Sequence, residues 1–271
     1  MRKELKQWAR DKMRESRPSP VSVTLVYVLI TGAMQLIVPL VSVALVGFSV
    51  LSYWLTKGYE LSQIILYYLG AGGATALGFA NILVGLLIEV ISFGYISYCL
   101  LLLRDRARGT SNLSDGLGMA GKVILMRLIT GTFIFLWSLL LVIPGIVAFY
   151  RYRMAPYILL DNPDCGVLES IRASKALMKG HKAELFVFDL SFLNWALLYA
   201  VPFLVAEILE RAGIPALGGV VVTWLGAGLV SLWVTPFVGV SQAAYYSNLT
   251  GGGYRIADYG PGDTRDRHWD N

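Results

Sequence analysis

The sequence predicts an all-α integral membrane bundle of about six transmembrane helices, both termini cytoplasmic, with amphipathic interfacial helices beside it. Three observations predict it. Hydrophobic residues make up 56% of the 271-residue chain and charged residues only 15%. Several apolar runs approach or exceed the roughly 20 residues that carry a helix across a bilayer. Of the 23 lysines and arginines, 18 fall in four short stretches that alternate with those runs, and basic residues beside membrane spans are retained on the cytoplasmic side.

Residues 2–17 carry seven basic and three acidic side chains, with Leu5, Trp8, Ala9 and Met13 inside one arc at 100° per residue. That is the pattern of an interfacial helix, assigned to residues 1–20 and ended by Pro18 and Pro20. A six-span membrane domain is expected over residues 21–249. Its first span runs from Val21 to Gly47 with Pro39 as a kink, and is too long in apolar residues for a cleavable signal, so it is expected to remain. Residues 48–75 carry Tyr53, Trp54, Tyr59, Tyr67 and Tyr68 with only Lys57 and Glu60 as charges. Such aromatics favour the interface, which places this segment on or dipping into the outer leaflet as far as Gly70 to Gly73.

Span two covers Ala76 to Leu103 and stops at Arg104, Arg106 and Arg108. Span three runs from Lys122 to Ile143, where Pro144-Gly145 forces a reversal. Span four, Gly145 to Leu160, is short, and crosses at a thinned or protein-shielded place. Asn162-Pro163-Asp164 reads as a helix start, with Asn as the cap and Gly180 as the stop. Spans five and six are expected over 184–206 and 217–246. A tail, 250–271, is rich in Gly, Asp and Arg without apolar period, and is expected to be a mobile cytoplasmic segment.

The net charge of +5 belongs to this topology, so the expected partners are membrane lipids, including anionic head groups, and a protein partner or second copy, with no nucleic acid. Cys99 and Cys165 are both expected on the cytoplasmic side, as reduced thiols. The small residues Ala74, Gly78, Gly226 and Gly228 suit close helix approach.

The run LLLVIPGIVAFYRYRMAPYILLDNPD, followed by ESIRASKALMKGHK and LFVFDLSFLNW, resembles an uncharacterised bacterial multi-pass membrane family, a domain of unknown function. That family is distantly similar to the membrane domain of glycerophosphodiester phosphodiesterases, and the resemblance covers about residues 85 to 248. It implies a protein of the bacterial plasma (inner) membrane and supplies no catalytic residues.

Charged groups at membrane depth are costly and tend to face the bundle interior and pair. The candidate ligand-binding residues are therefore Glu89, Arg151, Arg153, Asp189 and Arg127, with Asn81 as a polar neighbour. Glu89 is expected to pair with Arg151 or Arg153, and Asp189 with Arg127 or one of those two. The bland reading is that Arg127 and Asp189 snorkel or form a structural pair, and that Asn81, Gln35, Asn194 and Gln242 bond between helices. No enzyme motif is present: His181 and His268 fit neither HExxH nor a serine–histidine pair, and GPGD at 260–263 lies in the tail. No cofactor or metal is called for. The expected function is transport or binding of a small polar, ionic or lipid solute in a buried Glu/Arg pocket; the alternative is a non-transporting scaffold that docks lipid or a partner.

Overall fold

A computed structural model describes residues 2–47, 50, 53, 56–59, 61–213 and 216–251. It is all-helical among those residues. The tail expected over 250–271 lies almost wholly outside them, as do Trp54, Glu60 and His268.

Helix α1 (Arg2–Glu15) precedes α2 (Pro20–Val46), which contains Pro39. Helix α3 (Leu61–Leu103) is broken at Gly70, whose φ of 66° only glycine adopts readily, so the outer segment joins the span as one kinked rod. A 3₁₀ turn (Gly109–Ser114) and the single turn α4 (Asp115–Gly118) lead into α5 (Ala120–Leu140) and α6 (Val142–Tyr152). Then follow α7 (Ala155–Asp161), α8 (Val167–Leu177) and α9 (Lys182–Leu190). Helix α10 (Leu193–Ala196), a 3₁₀ turn and α11 (Ala200–Arg211) form one rod that packs against α12 (Ala216–Thr250).

Five helical rods are long and apolar enough to cross a membrane: Pro20–Val46, Ser62–Leu103, Ala120–Leu140, Leu193–Arg211 and Gly218–Thr250. The sixth expected span, 145–160, is not a single helix. It is divided between α6 and α7 by a break at Arg153 and Met154 that Ser174 stitches, accepting from the Met154 amide (3.2 Å) and donating to the Arg151 carbonyl (3.0 Å). Span five also starts later than expected, because residues 182–190 form a separate short helix with buried Leu185 and Phe188. Nor does Asn162 cap α8: it closes the end of α7 through the Ile158 carbonyl, and α8 begins at Val167 with the Gly166 amide facing Glu169 (3.4 Å). Pro163 is ambiguous in sequence, since a proline suits a loop as well as a first helical turn.

Packing is concentrated at one end. The largest buried cluster joins the last turns of α3 and α12 (Tyr98, Leu102, Val240, Ala244, Tyr245) to α7 and α9, and it takes in Leu5 and Ala9 of α1. Leu5, Ala9 and Met13 of the apolar arc of α1 therefore face protein, whereas Trp8 is exposed. Lys6 donates to the Ser191 carbonyl (3.0 Å) and lies 3.9 Å from the Phe192 ring centre, Arg10 lies over Phe237, and Lys12 pairs with Asp105. Outside that cluster Leu29, Leu83, Leu140 and Leu225 are exposed. Where no water-facing charge accompanies them, such faces belong in lipid.

Two glycines set the register of the middle segment. The turn 109–118 runs back along α3, where a methyl group on Gly94 would lie 2.6 Å from the Leu113 carbonyl carbon, and one on Gly116 3.0 Å from that of Val90. Backbones touch here only because both side chains are hydrogen. Asp115 anchors the turn by accepting from Ser97 (2.7 Å), Asn112 (2.8 Å) and Arg108 (2.8 Å). Gly226 serves likewise between α11 and α12, where an added methyl would lie 2.6 Å from Pro202 Cγ, whereas Gly78 and Gly228 face open space. Of the three glycines expected to suit close helix approach, Gly226 alone has a neighbouring helix against it.

Candidate functional site

The 109–118 turn climbs back along α3 until Gly116 meets Val90, so α5 starts well inside the Leu103 end of that helix. Seven residues later Arg127 therefore meets Glu89, with Nη2 to Oε1 at 2.8 Å. This corrects the expected pairing of Glu89 with Arg151 or Arg153. Matching depths by counting from span ends assumes that every span ends at one level, and here they do not. The pair is half-open, with side-chain exposures of 54% for Arg127 and 35% for Glu89.

Among the described residues Asp189 pairs with no arginine either. It accepts from the Tyr150 hydroxyl (3.2 Å) and, at 3.4 Å, from the Gln242 amide. Arg153 stacks on Phe149, 5.0 Å from the ring centre, and has no carboxylate within 4 Å among the described residues. Arg151 is only partly buried and lies outside the cavity, its carbonyl held by Ser174. Asn81 is exposed on α3 and donates to the Leu77 carbonyl of its own helix (3.1 Å); Gln35 and Asn194 are exposed as well.

The structure brings Glu89, Arg127 and Arg153 together around a cleft of about 520 Å³ between the α5–α6 hairpin and the α3 and α12 rods. Its walls are three helical faces. Glu89, Ser92, Ile96 and Cys99 recur along α3, Val123, Arg127, Thr130 and Ile134 along α5, and Thr235, Val238, Gly239 and Gln242 along α12. Five tyrosines, Tyr27, Tyr95, Tyr152, Tyr157 and Tyr199, add to the lining. Sequence reasoning missed all five tyrosines, although the three-and-four spacing of those faces is a legible signal. A smaller cavity of about 330 Å³ holds Asp189 and Tyr150 and shares Tyr199, Val234 and Val238 with the first.

Chemically the cleft combines one carboxylate and two guanidinium groups with apolar and aromatic walls. It suits binding of a charged group attached to an apolar body. Among the described residues no cluster of His, Cys, Asp and Glu stands at metal-ligand spacing.

A second polar constellation lies in the packed end. Arg104 holds Asp161 in a fork, at 2.6 and 3.1 Å, and the Tyr246 hydroxyl donates to the same carboxylate at 2.7 Å. In the sequence Arg104 marks orientation alone. Its partner Asp161 is 8% exposed, which makes the pair a structural clamp.

A model of one protein family matches residues 1–252. The chain belongs to that family, described as a protein of unknown function, DUF975. The DUF975 match extends through α1, well beyond the 85–248 that carry the resemblance in sequence, so the docked amino-terminal helix is part of the family unit. It carries nothing of the likeness to the glycerophosphodiester phosphodiesterase membrane domain. Comparison with curated proteins and with solved structures returned no match.

Proposed function

We propose that this protein binds, without enzymatic chemistry, an anionic amphiphile of the bacterial plasma membrane, with the charged head at Arg153 and Arg127 and the apolar body along the hairpin. The observation that carries this reading is the composition of the cleft: two guanidinium groups against one carboxylate, set where packed protein gives way to exposed apolar helix. Arg153 is the contact of choice, because Glu89 already engages Arg127. Transport of the bound molecule is the further step that a laterally open cleft would serve. In this reading the packed end faces the cytoplasm, as the distribution of basic residues favours. A scaffold role has weaker support, since Leu5, Ala9 and Met13 of the apolar arc of α1 that would dock a partner are covered by the bundle itself.

The test uses a photoreactive phosphatidylglycerol analogue and the purified full chain in nanodiscs. Thr235→Trp fills the cleft and Arg153→Gln removes one charged contact. A charge-assisted hydrogen bond contributes about 1.5–3 kcal/mol, so R153Q should weaken saturable labelling by roughly tenfold or more. T235W should abolish it. Labelling that neither substitution changes would end this reading.

A further inference from the structure

We infer that the α5–α6 hairpin is a re-entrant element, entering and leaving the membrane on one face with its tip buried in hydrocarbon. The first support is depth. Helix α8 carries Glu169, Arg172 and Lys175 on its exposed side while Val167 and Ile171 pack against Val123 and Met126 of α5 and Val90 and Phe93 of α3. Solvated charge on α8 therefore brings the water and head-group level at least as deep as Met126 on α5 and Val90 on α3. The other rods run 27 residues in Pro20–Val46, 42 in Ser62–Leu103, 19 in Leu193–Arg211 and 33 in Gly218–Thr250. At 1.5 Å per residue even the shortest of them is about 28 Å long, close to the thickness of the hydrocarbon. The hairpin has only 127–140 going in, about 21 Å, and 142–151 coming out, about 15 Å.

The second support is the tip itself. Leu139, Leu140, Leu141, Val142 and Ile143 are 67–74% exposed, and no charged residue occurs between Arg127 and Arg151. The opposite ends of the other rods carry charge: Lys57 after α2, and Glu207 paired with Arg211 at the end of α11. A turn ending in water would expose five apolar side chains for no return.

The third support is the backbone. Lipid-facing turns fail because their amides and carbonyls go unbonded. Here a single extended residue, Leu141, makes the reversal, its amide bonding the Trp137 carbonyl while its own carbonyl accepts from Gly145. Pro144 removes one further donor. Gly145 lets the two helices close over Ser138, whose hydroxyl is turned inward to the Ile134 carbonyl.

Spin labels and thiol reagents at the tip decide the matter. Leu141→Cys and Ile143→Cys, each in a C165A background and in the full chain reconstituted in sealed vesicles, are compared with Ala212→Cys in the α11–α12 turn. A membrane-impermeant maleimide applied from either face should label the tip cysteines at least ~10-fold more slowly than A212C, because a thiol in apolar surroundings stays protonated. A nitroxide at the same positions should collide with oxygen far more than with a water-soluble nickel chelate. Rapid labelling of L141C or I143C from one face, or nickel accessibility equal to that of A212C, would overturn the inference. Neither readout depends on the ligand, so the binding reading and this one fail separately.

Discussion

Replacing Gly116 with alanine should destabilise the protein measurably while the same change two residues on should not. The new methyl on Gly116 would lie 3.0 Å from the Val90 carbonyl carbon, 3.2 Å from the Gly94 amide nitrogen and closer still to the Val90 oxygen. All three are backbone atoms of α3, so no flexible side chain can yield. The turn must lift away from α3, and overpacking of this kind costs about 1–3 kcal/mol. At about 2–4 °C per kcal/mol for a chain of this size, the melting midpoint should fall by about 5 °C. Gly118, on the same turn, has nothing within 4 Å of its would-be methyl and is the internal control. The assay is thermal unfolding in detergent followed by intrinsic tryptophan fluorescence. Equal midpoints for G116A and G118A would refute the claim that backbone contact at Gly116 sets the register of α5.

Two further expectations concern the packed end. Asp161→Ala leaves the Arg104 guanidinium without its carboxylate, and removing one member of such a buried pair costs about 3–5 kcal/mol. Tyr246→Phe should cost only about 1 kcal/mol, and a denaturation series that ranks the two variants the other way would contradict the clamp. Cys165 lies in the loop before α8, where partial burial, followed by the nearby Glu169, raises its thiol above the ordinary range. Because the thiolate is the nucleophile, maleimide labelling of the native chain should be slow at neutral pH and accelerate only above the range of a free cysteine. The rate profile of Glu169→Gln should shift towards lower pH.

Fold class was legible because bilayer crossing leaves a one-dimensional mark: Pro20–Val46 and the late run to Thr250 are apolar for the whole thickness of a membrane. Pro144-Gly145 likewise betrayed the α5–α6 reversal. What the linear pattern lacked was relative height. Glu89 and Arg127 meet only because residues 109–118 double back along α3, a contact that depends on Gly94 and Gly116 together. Arg104 shows the complementary limit. Its position after an apolar run marks where that run ends, whereas its bond to Asp161 requires knowing that α7 returns beside the end of α3. The amphipathic arc of α1 was visible, but an apolar stripe has the same spacing whether lipid or protein covers it.

The docking of α1 on α12 also has a bearing on synthesis. Arg10 and the Phe237 ring it covers are separated by most of the chain, and at 5–20 residues per second the second is made roughly 10–45 s after the first. Throughout that interval Leu5 and Ala9 have no bundle to bury them, and the lipid surface is the apolar neighbour at hand. The apolar arc of α1 can therefore reach the cover it has in the structure only after the last rod is made.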